Sequence, residues 1–248
     1  MKIKPIKFIK TILGISPVQP PYPQDFETFH KEIIEKVRPY TMTSVERLFT
    51  LIESVKYIVQ HNIPGDIVEC GVWKGGSMMA VAETLHKLGQ TDRQLFLYDT
   101  FAGMTAPTQA DEAHTNETAA ELLQKDAGIK TESAVWAYSS LSEVKNNISL
   151  INYPEKNIHF IEGDVLKTIP GVASEQIALL RLDTDWYEST KHEMEQLYPR
   201  LVQKGVLIID DYGFWKGSRQ AVDEYIAANQ VQILLNRIDD TGRVAIKF

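Results

Sequence analysis

Two apolar runs in this chain each end in a pair of acids: IALLRLDTDWY carries Asp183 and Asp185, and GVLIIDDYG carries Asp210 and Asp211. Short runs rich in Val, Ile and Leu read as strands buried on both faces. Neighbouring strands lie about 5 Å apart, so acids at adjacent strand ends converge on one spot. Three or four uncompensated carboxylates there would repel one another and take up protons. A divalent cation relieves the repulsion, and an all-oxygen donor set suits magnesium, manganese or calcium rather than zinc.

Other strand ends carry different chemistry. VECGVWKGGS places Gly71, Gly75 and Gly76 in a turn ahead of a helix, where backbone can approach a ligand closely and helix amides can receive an anion. The spacing is not G-x-G-x-x-G, because three residues separate Gly71 from Gly75. LFLYDT ends in Asp99, placed to accept from two ribose hydroxyls of a nicotinamide or adenosyl cofactor, or else to cap a turn. EGD offers Gly163 and Asp164 to border an adenine. Three such ends in register point to a nucleoside.

The elements that position these residues alternate. Strand-like DIVECGV, QLFLYDT, NIHFIEGD, IALLRLD and GVLIIDD are separated by helical stretches such as SMMAVAETLHKL, SLSEVKNNISLI and ESTKHEMEQLYPRL. This rhythm predicts an α/β fold, with a parallel sheet between two helical layers. VQILLNRI and RVAIKF, joined by DDTG, predict a C-terminal antiparallel hairpin and a seven-stranded count. Thr43 with Glu46 and Ser140 with Glu143 read as capping boxes. The stretch 101–139 is too long for a plain loop and reads as a lid-like insertion with one short helix near Glu117 to Lys125.

Taken together, TMTSVERLFTLIESVKYI, GDIVECGVWKGGS, YDTFAGM and RLDTDWYESTKHEMEQLYPRLVQKGVLIIDDYG resemble the macrocin O-methyltransferase family over about Tyr40 to Tyr225. The resemblance implies a class I methyltransferase (Rossmann-like) domain at 40–248, preceded by an arm at 1–39. It implies S-adenosylmethionine as cofactor and a sugar hydroxyl, alone or on a glycosylated natural product, as acceptor. Glu69 and Gly71 would then lie along the methionine part, Ser77 near its carboxylate, Asp99 on the ribose and Asp164 beside the adenine. Thr43 would belong to a segment closing over the cofactor. Asp183, Asp210 and Asp211 would hold magnesium, or manganese or calcium, and Asp185 would be the general base. One departure from the family is Asp164, where members often carry an aromatic residue.

Further residues carry weaker expectations. Tyr187, Tyr212, Phe214 and Trp215 either stack on a sugar or pack the sheet rim. His192 is expected on a helix surface and Trp73 in packing, while His30 and His114 are looser candidates for reaching the acceptor. Cys70 reads as a small buried apolar residue, and a lone cysteine fits a reducing cytoplasm.

The chain has 248 residues, 44% apolar and 24% charged, with formal charge −7. That charge speaks against nucleic acid as a partner. The basic N-terminus, with no apolar stretch as long as a signal-peptide core, predicts a flexible or partner-packed arm, no stable membrane anchor and a homo-oligomer. Three alternatives remain open at this point: a D-x-D nucleotide-sugar glycosyltransferase, a non-catalytic S-adenosylmethionine-binding protein, and a dehydrogenase. An aspartyl phosphatase would place its D-x-D on an early strand, whereas here it is on the fourth.

Overall fold

A computed structural model describes residues 22–248 of the chain. The arm assigned to 1–39 lies partly outside the described residues, and the remainder departs from that reading. Residues 28–37 form helix α1 (Thr28–Val37), whose Ile33, Ile34 and Val37 are fully buried in the main core. Spacing of three and four residues puts all three on one face, so this segment belongs to the domain.

Helix α2 (Val45–Gln60) follows, its buried Leu48, Leu51, Ile52, Val55 and Ile58 repeating at helical intervals. Its cap is Ser44, which accepts from the Arg47 amide, one residue beyond the expected Thr43. Next come β1 (Asp66–Cys70), α3 (Gly76–Lys87), β2 (Leu95–Asp99), α4 (Ala119–Lys125), α5 (Leu141–Ile148) and β3 (Ile158–Glu162). The chain closes with α6 (Val165–Thr168), β4 (Ile177–Leu182), α7 (Tyr187–Gln196), β5 (Leu201–Ile209), α8 (Lys216–Ala228), β6 (Asn236–Arg237) and β7 (Arg243–Ile246). Thr118 and Glu121 form a full capping box on α4. On α5, Ser140 accepts from the Glu143 amide, while the Glu143 carboxylate turns to Ser139.

The strands form one sheet in the order β3-β2-β1-β4-β5-β7-β6, parallel through β5 and antiparallel where β7 pairs with β5. The hairpin is present but its first strand is short. Asp239 accepts from the Thr241 and Gly242 amides, folding the turn tightly, and Ile233 and Leu235 pack on the core instead of extending the ladder.

One core layer joins α1, α2, α3 and α5 to the sheet through residues such as Met79, Leu97, Leu179 and Ile208. The other lies beneath α7 and α8, around Val68, Leu180, Leu207 and Met194. Each fully buried Leu or Ile contributes about 1.5–3 kcal/mol, so the two layers fix the sheet and with it the row of strand ends. A third cluster builds the insertion, with Ala113, Ala119 and Leu123 packing on Trp186 and Trp215. Among the described residues no helix is long and apolar enough to cross a membrane.

Candidate active site

The strand register gathers the expected residues. Cys70 pairs with Tyr98 and Leu182, and Leu182 pairs with Ile209, so Gly71, Asp99, Asp183 and Asp210 all leave the same edge of the sheet. They open onto a cavity of about 530 Å3, within the range of small-molecule sites. Thr43, Gly71, Ser77, Asp99, Gly163 and Asp164 line one part of it. Asp183, Asp185, Asp210 and Asp211 line it beyond the β4 and β5 ends, with Trp186, Phe214 and Trp215 beside them. Met104, Thr105, Ala106 and Val135 of the insertion form a further wall.

Glycine serves protein packing here. Gly71 has φ +83°, and a Cβ on it would collide with the Asp183 carbonyl of the neighbouring strand end. At Gly76 a Cβ would meet the Tyr40 carbonyl at 2.5 Å. The glycines thus allow a close approach of backbone to backbone, and Gly71 and Gly76 also line the cavity.

Asp99 and Asp164 both have structural partners. Asp99 Oδ2 accepts from the Val72 and Trp73 amides at 2.7 and 3.1 Å, and Oδ1 accepts from the Phe101 amide at 2.7 Å. Burial raises the Asp99 pKa against the pull of these donors. Asp164 caps α6, accepting from the Leu166 amide at 3.0 Å.

The acids are less bare than the sequence implies. Glu69 on β1, Arg181 on β4 and Asp210 after β5 share one face of the sheet, and Arg181 ties them together. Its Nη1 lies 2.6 Å from Glu69 and 2.8 Å from Asp183; its Nη2 donates to Asp210 at 2.7 Å and to Thr43 at 3.2 Å. Arg47 from α2 bonds the second oxygen of Asp210 and reaches Asp239 at 2.9 Å, which accepts from Ser44. Two arginines thus supply positive charge that the sequence reading assigned to a metal alone. Glu69 is fully buried on Arg181 and does not line the cavity.

Charge still exceeds compensation at Asp183, Asp185 and Asp211. Burial and the neighbouring acids push the Asp183 and Asp211 pKa values well above the carboxylate range, although Arg181 opposes this at Asp183. Asp185 is pushed up to about 7, by burial first and then by Asp183. Its backbone is left-handed, with φ +67°, a conformation Asp tolerates better than most residues. The loop is held from below by Glu193, itself fully buried, whose two oxygens accept from the Thr184 hydroxyl at 3.0 and 3.1 Å.

Asp211 Oδ2 is buried without a hydrogen-bond partner. That oxygen suits a cation, and the Asp211 side chain lies within hydrogen-bonding reach of Asp185, whereas Asp210 has both oxygens on arginines. Among the described residues no three Asp, Glu, His or Cys side chains stand as a ready metal cage.

The histidines lie elsewhere. His30 is buried between Phe26 and Phe49 and bonds Glu53 at 2.7 Å. His192, expected on a surface, is half-buried with Nε2 3.0 Å from the Ile169 carbonyl. His114 is exposed and packs edge-on against Phe214, outside the cavity lining. Tyr187 and Tyr212 bond Glu224 and Asp223 and stay off the lining, whereas Trp73, expected only to pack, is part of it. Cys70 is buried.

The family model for macrocin O-methyltransferase (TylF) matches residues 36–246. The chain belongs to this family. A Streptomyces olivaceus relative, the 8-demethyl-8-(2,3-dimethoxy-α-L-rhamnosyl)-tetracenomycin-C 4'-O-methyltransferase, is 32% identical over 82% of this chain and 74% of its own. The demethyldecarbamoylnovobiocin O-methyltransferase of Streptomyces niveus is 28% identical over 94% of this chain and 89% of its own. The solved O-methyltransferase NovP superposes with a TM-score of 0.73 at 29% identity, covering 84% of this chain and 82% of that one. The chain is accordingly an O-methyltransferase of class I architecture.

Arg47, Arg181 and Glu193 escaped the sequence reading, yet one of them left a trace. Arg181 interrupts the apolar IALLRLD, as Glu69 interrupts DIVECG, and charged residues inside buried strands are almost always paired.

Proposed function

We propose that this enzyme moves a methyl group from S-adenosylmethionine to a hydroxyl of a sugar, on a glycosylated natural product, with magnesium or a similar cation. The observation that carries the reading is the convergence of acids: Asp183, Asp185, Asp210 and Asp211 face one cavity beyond the β4 and β5 ends, where Asp211 has a buried oxygen without a hydrogen-bond partner. Asp185, which accepts from neither arginine, would be the carboxylate left to take a proton from an acceptor hydroxyl. Asp183 and Asp211 would hold the cation, with Asp210 joining them at the expense of an arginine contact. The cation would acidify and orient the acceptor hydroxyl.

The part of the cavity around Gly71, Ser77, Asp99 and Asp164 would take the cofactor, with Thr43 closing over it. Trp186, Phe214 and Trp215 offer apolar faces to the acceptor. Seven carboxylates and one arginine, Arg47, line the cavity. Membership of the O-methyltransferase family, over residues 36–246, favours methyl transfer over a D-x-D glycosyltransferase. The four acids also count against a purely cofactor-binding role, which has no need of them. A homo-oligomer and a cytoplasmic location stay part of the proposal.

Calorimetric titration with S-adenosylhomocysteine, NAD and a nucleoside diphosphate sugar, each with and without magnesium, tests the reading. Micromolar binding of S-adenosylhomocysteine, without binding of the other two, is expected. Magnesium-dependent binding of the nucleotide sugar, without S-adenosylhomocysteine binding, would replace it with the glycosyltransferase.

A further inference from the structure

We infer that Asp111 of the insertion is a positioning residue for the acid loop, locking the acceptor wall and Asp185 into one unit. The inference rests on the methyltransferase reading of the cavity.

Asp111 is 1% exposed, and its carboxylate bridges two places that are distant in sequence. Oδ2 accepts from the Thr108 amide at 2.7 Å and from its hydroxyl at 2.9 Å. Oδ1 accepts from the Tyr187 amide at 2.7 Å. Thr108 lines the cavity on the insertion side, and Tyr187 opens α7 two residues after Asp185.

Helix α7 has no side-chain cap of its own, since its N-cap is Trp186. The cap comes from the insertion, 76 residues back in the chain. A carboxylate at this position also suits the positive end of the helix dipole. Gly217 leaves the space: a Cβ there would collide with Asp111 Oδ1. A second stitch lies alongside, where Trp186 Nε1 donates to the Thr105 carbonyl at 3.1 Å.

Other contacts keep the insertion docked. Its backbone bonds the 214–216 segment, through the His114 amide to the Phe214 carbonyl and the Lys216 amide to the Glu112 carbonyl, both at 2.9 Å. Lys216 also pairs with Glu112 at 2.7 Å. These contacts hold the insertion as a whole, whereas Asp111 and the Trp186–Thr105 bond join cavity-lining residues to the start of α7, and of the two only Asp111 does so through a carboxylate on the helix amide. Removing it should free Asp185 from its register with the acceptor wall while the β1, α3 and β2 residues of the proposed cofactor side stay in place.

The test compares the full chain with Asp111→Ala and Asp111→Asn. The readouts are S-adenosylhomocysteine affinity, kcat and KM with the rhamnosylated tetracenomycin named for the Streptomyces olivaceus relative, and amide hydrogen exchange. In Asp111→Ala, kcat/KM for the acceptor should fall roughly 10- to 100-fold, as small misplacements of reacting groups do. S-adenosylhomocysteine affinity should change by less than about twofold, separating lost positioning from lost uniform binding. Exchange should quicken in both 104–110 and 185–190, and stay unchanged in 71–79. Asp111→Asn keeps an oxygen for the Tyr187 amide and should fall between wild type and Asp111→Ala.

Equal losses of cofactor and acceptor affinity, or faster exchange confined to 104–110, would overturn the inference. If the wild type does not methylate this acceptor, that result counts against the proposed acceptor class, and the exchange pattern alone then decides the role of Asp111.

Discussion

Arg181 stands opposite Glu69 in the pairing of β4 with β1, its Nη1 2.6 Å from Glu69 Oε1, and bonds Asp210 on the other side at 2.7 Å. One guanidinium therefore joins three adjacent strands beneath the site. Arg181→Met should destabilise the fold by about 3–5 kcal/mol, because it strands buried carboxylates without a partner. Arg181→Lys should recover only part of that, since an ammonium lacks the planar fork that reaches both neighbours. Urea unfolding measures both. A loss under about 1 kcal/mol for Arg181→Met would mean that the acids find other compensation.

Glu69 gives this network a pH signature. Burial raises its pKa from 4.5 to about 7, against the pull of Arg181. Between those values the native state keeps a proton that the unfolded chain gives up. Its stabilising contribution is full below about 4.5 and is lost as pH rises through about 7. Glu69→Gln cannot titrate, so its unfolding free energy should fall less steeply than wild type between those two values. Identical slopes in parallel urea titrations would assign the dependence to other groups.

The strand–helix alternation was legible because each strand is a compact apolar run and each helix repeats its apolar residues every three or four positions. Register then did the rest: once β4 and β5 are neighbours, Asp183 and Asp210 must lie side by side. What stayed hidden depends on contacts between distant segments. No local pattern reveals that Arg47 of α2 would reach Asp210, or that Asp111 would cap a helix far along the chain. Asp99 and Asp164 show the same limit: no local pattern reveals that each accepts from turn amides while lining the cavity.

Gly71 tests whether the glycine turn is a matter of packing. Gly71→Ala combines a left-handed φ with a collision against the Asp183 carbonyl. The strained backbone alone costs about 1–3 kcal/mol, and the overlap adds to it. Thermal unfolding should show a large loss, with weakened S-adenosylhomocysteine binding as the β1 and β4 ends part. Wild-type stability in this variant would contradict the packing role.

Asp185→Asn separates binding from chemistry. The amide keeps the shape of the side chain but cannot accept a proton from the acceptor. S-adenosylhomocysteine affinity should be nearly intact, while kcat drops by about 10²–10⁴, the usual contribution of a positioned base. Unchanged kcat would remove Asp185 from that role.

The most direct measurement is methyl transfer itself. S-adenosylmethionine carrying a labelled methyl group is incubated with the enzyme and a rhamnosylated acceptor, with magnesium or with a chelator, and the product is analysed by mass spectrometry. The expected result is one labelled methyl on a sugar oxygen, formed with magnesium and lost with the chelator or in Asp185→Asn. Transfer that is equally fast with the chelator and in Asp185→Asn would contradict the account of the acid cluster.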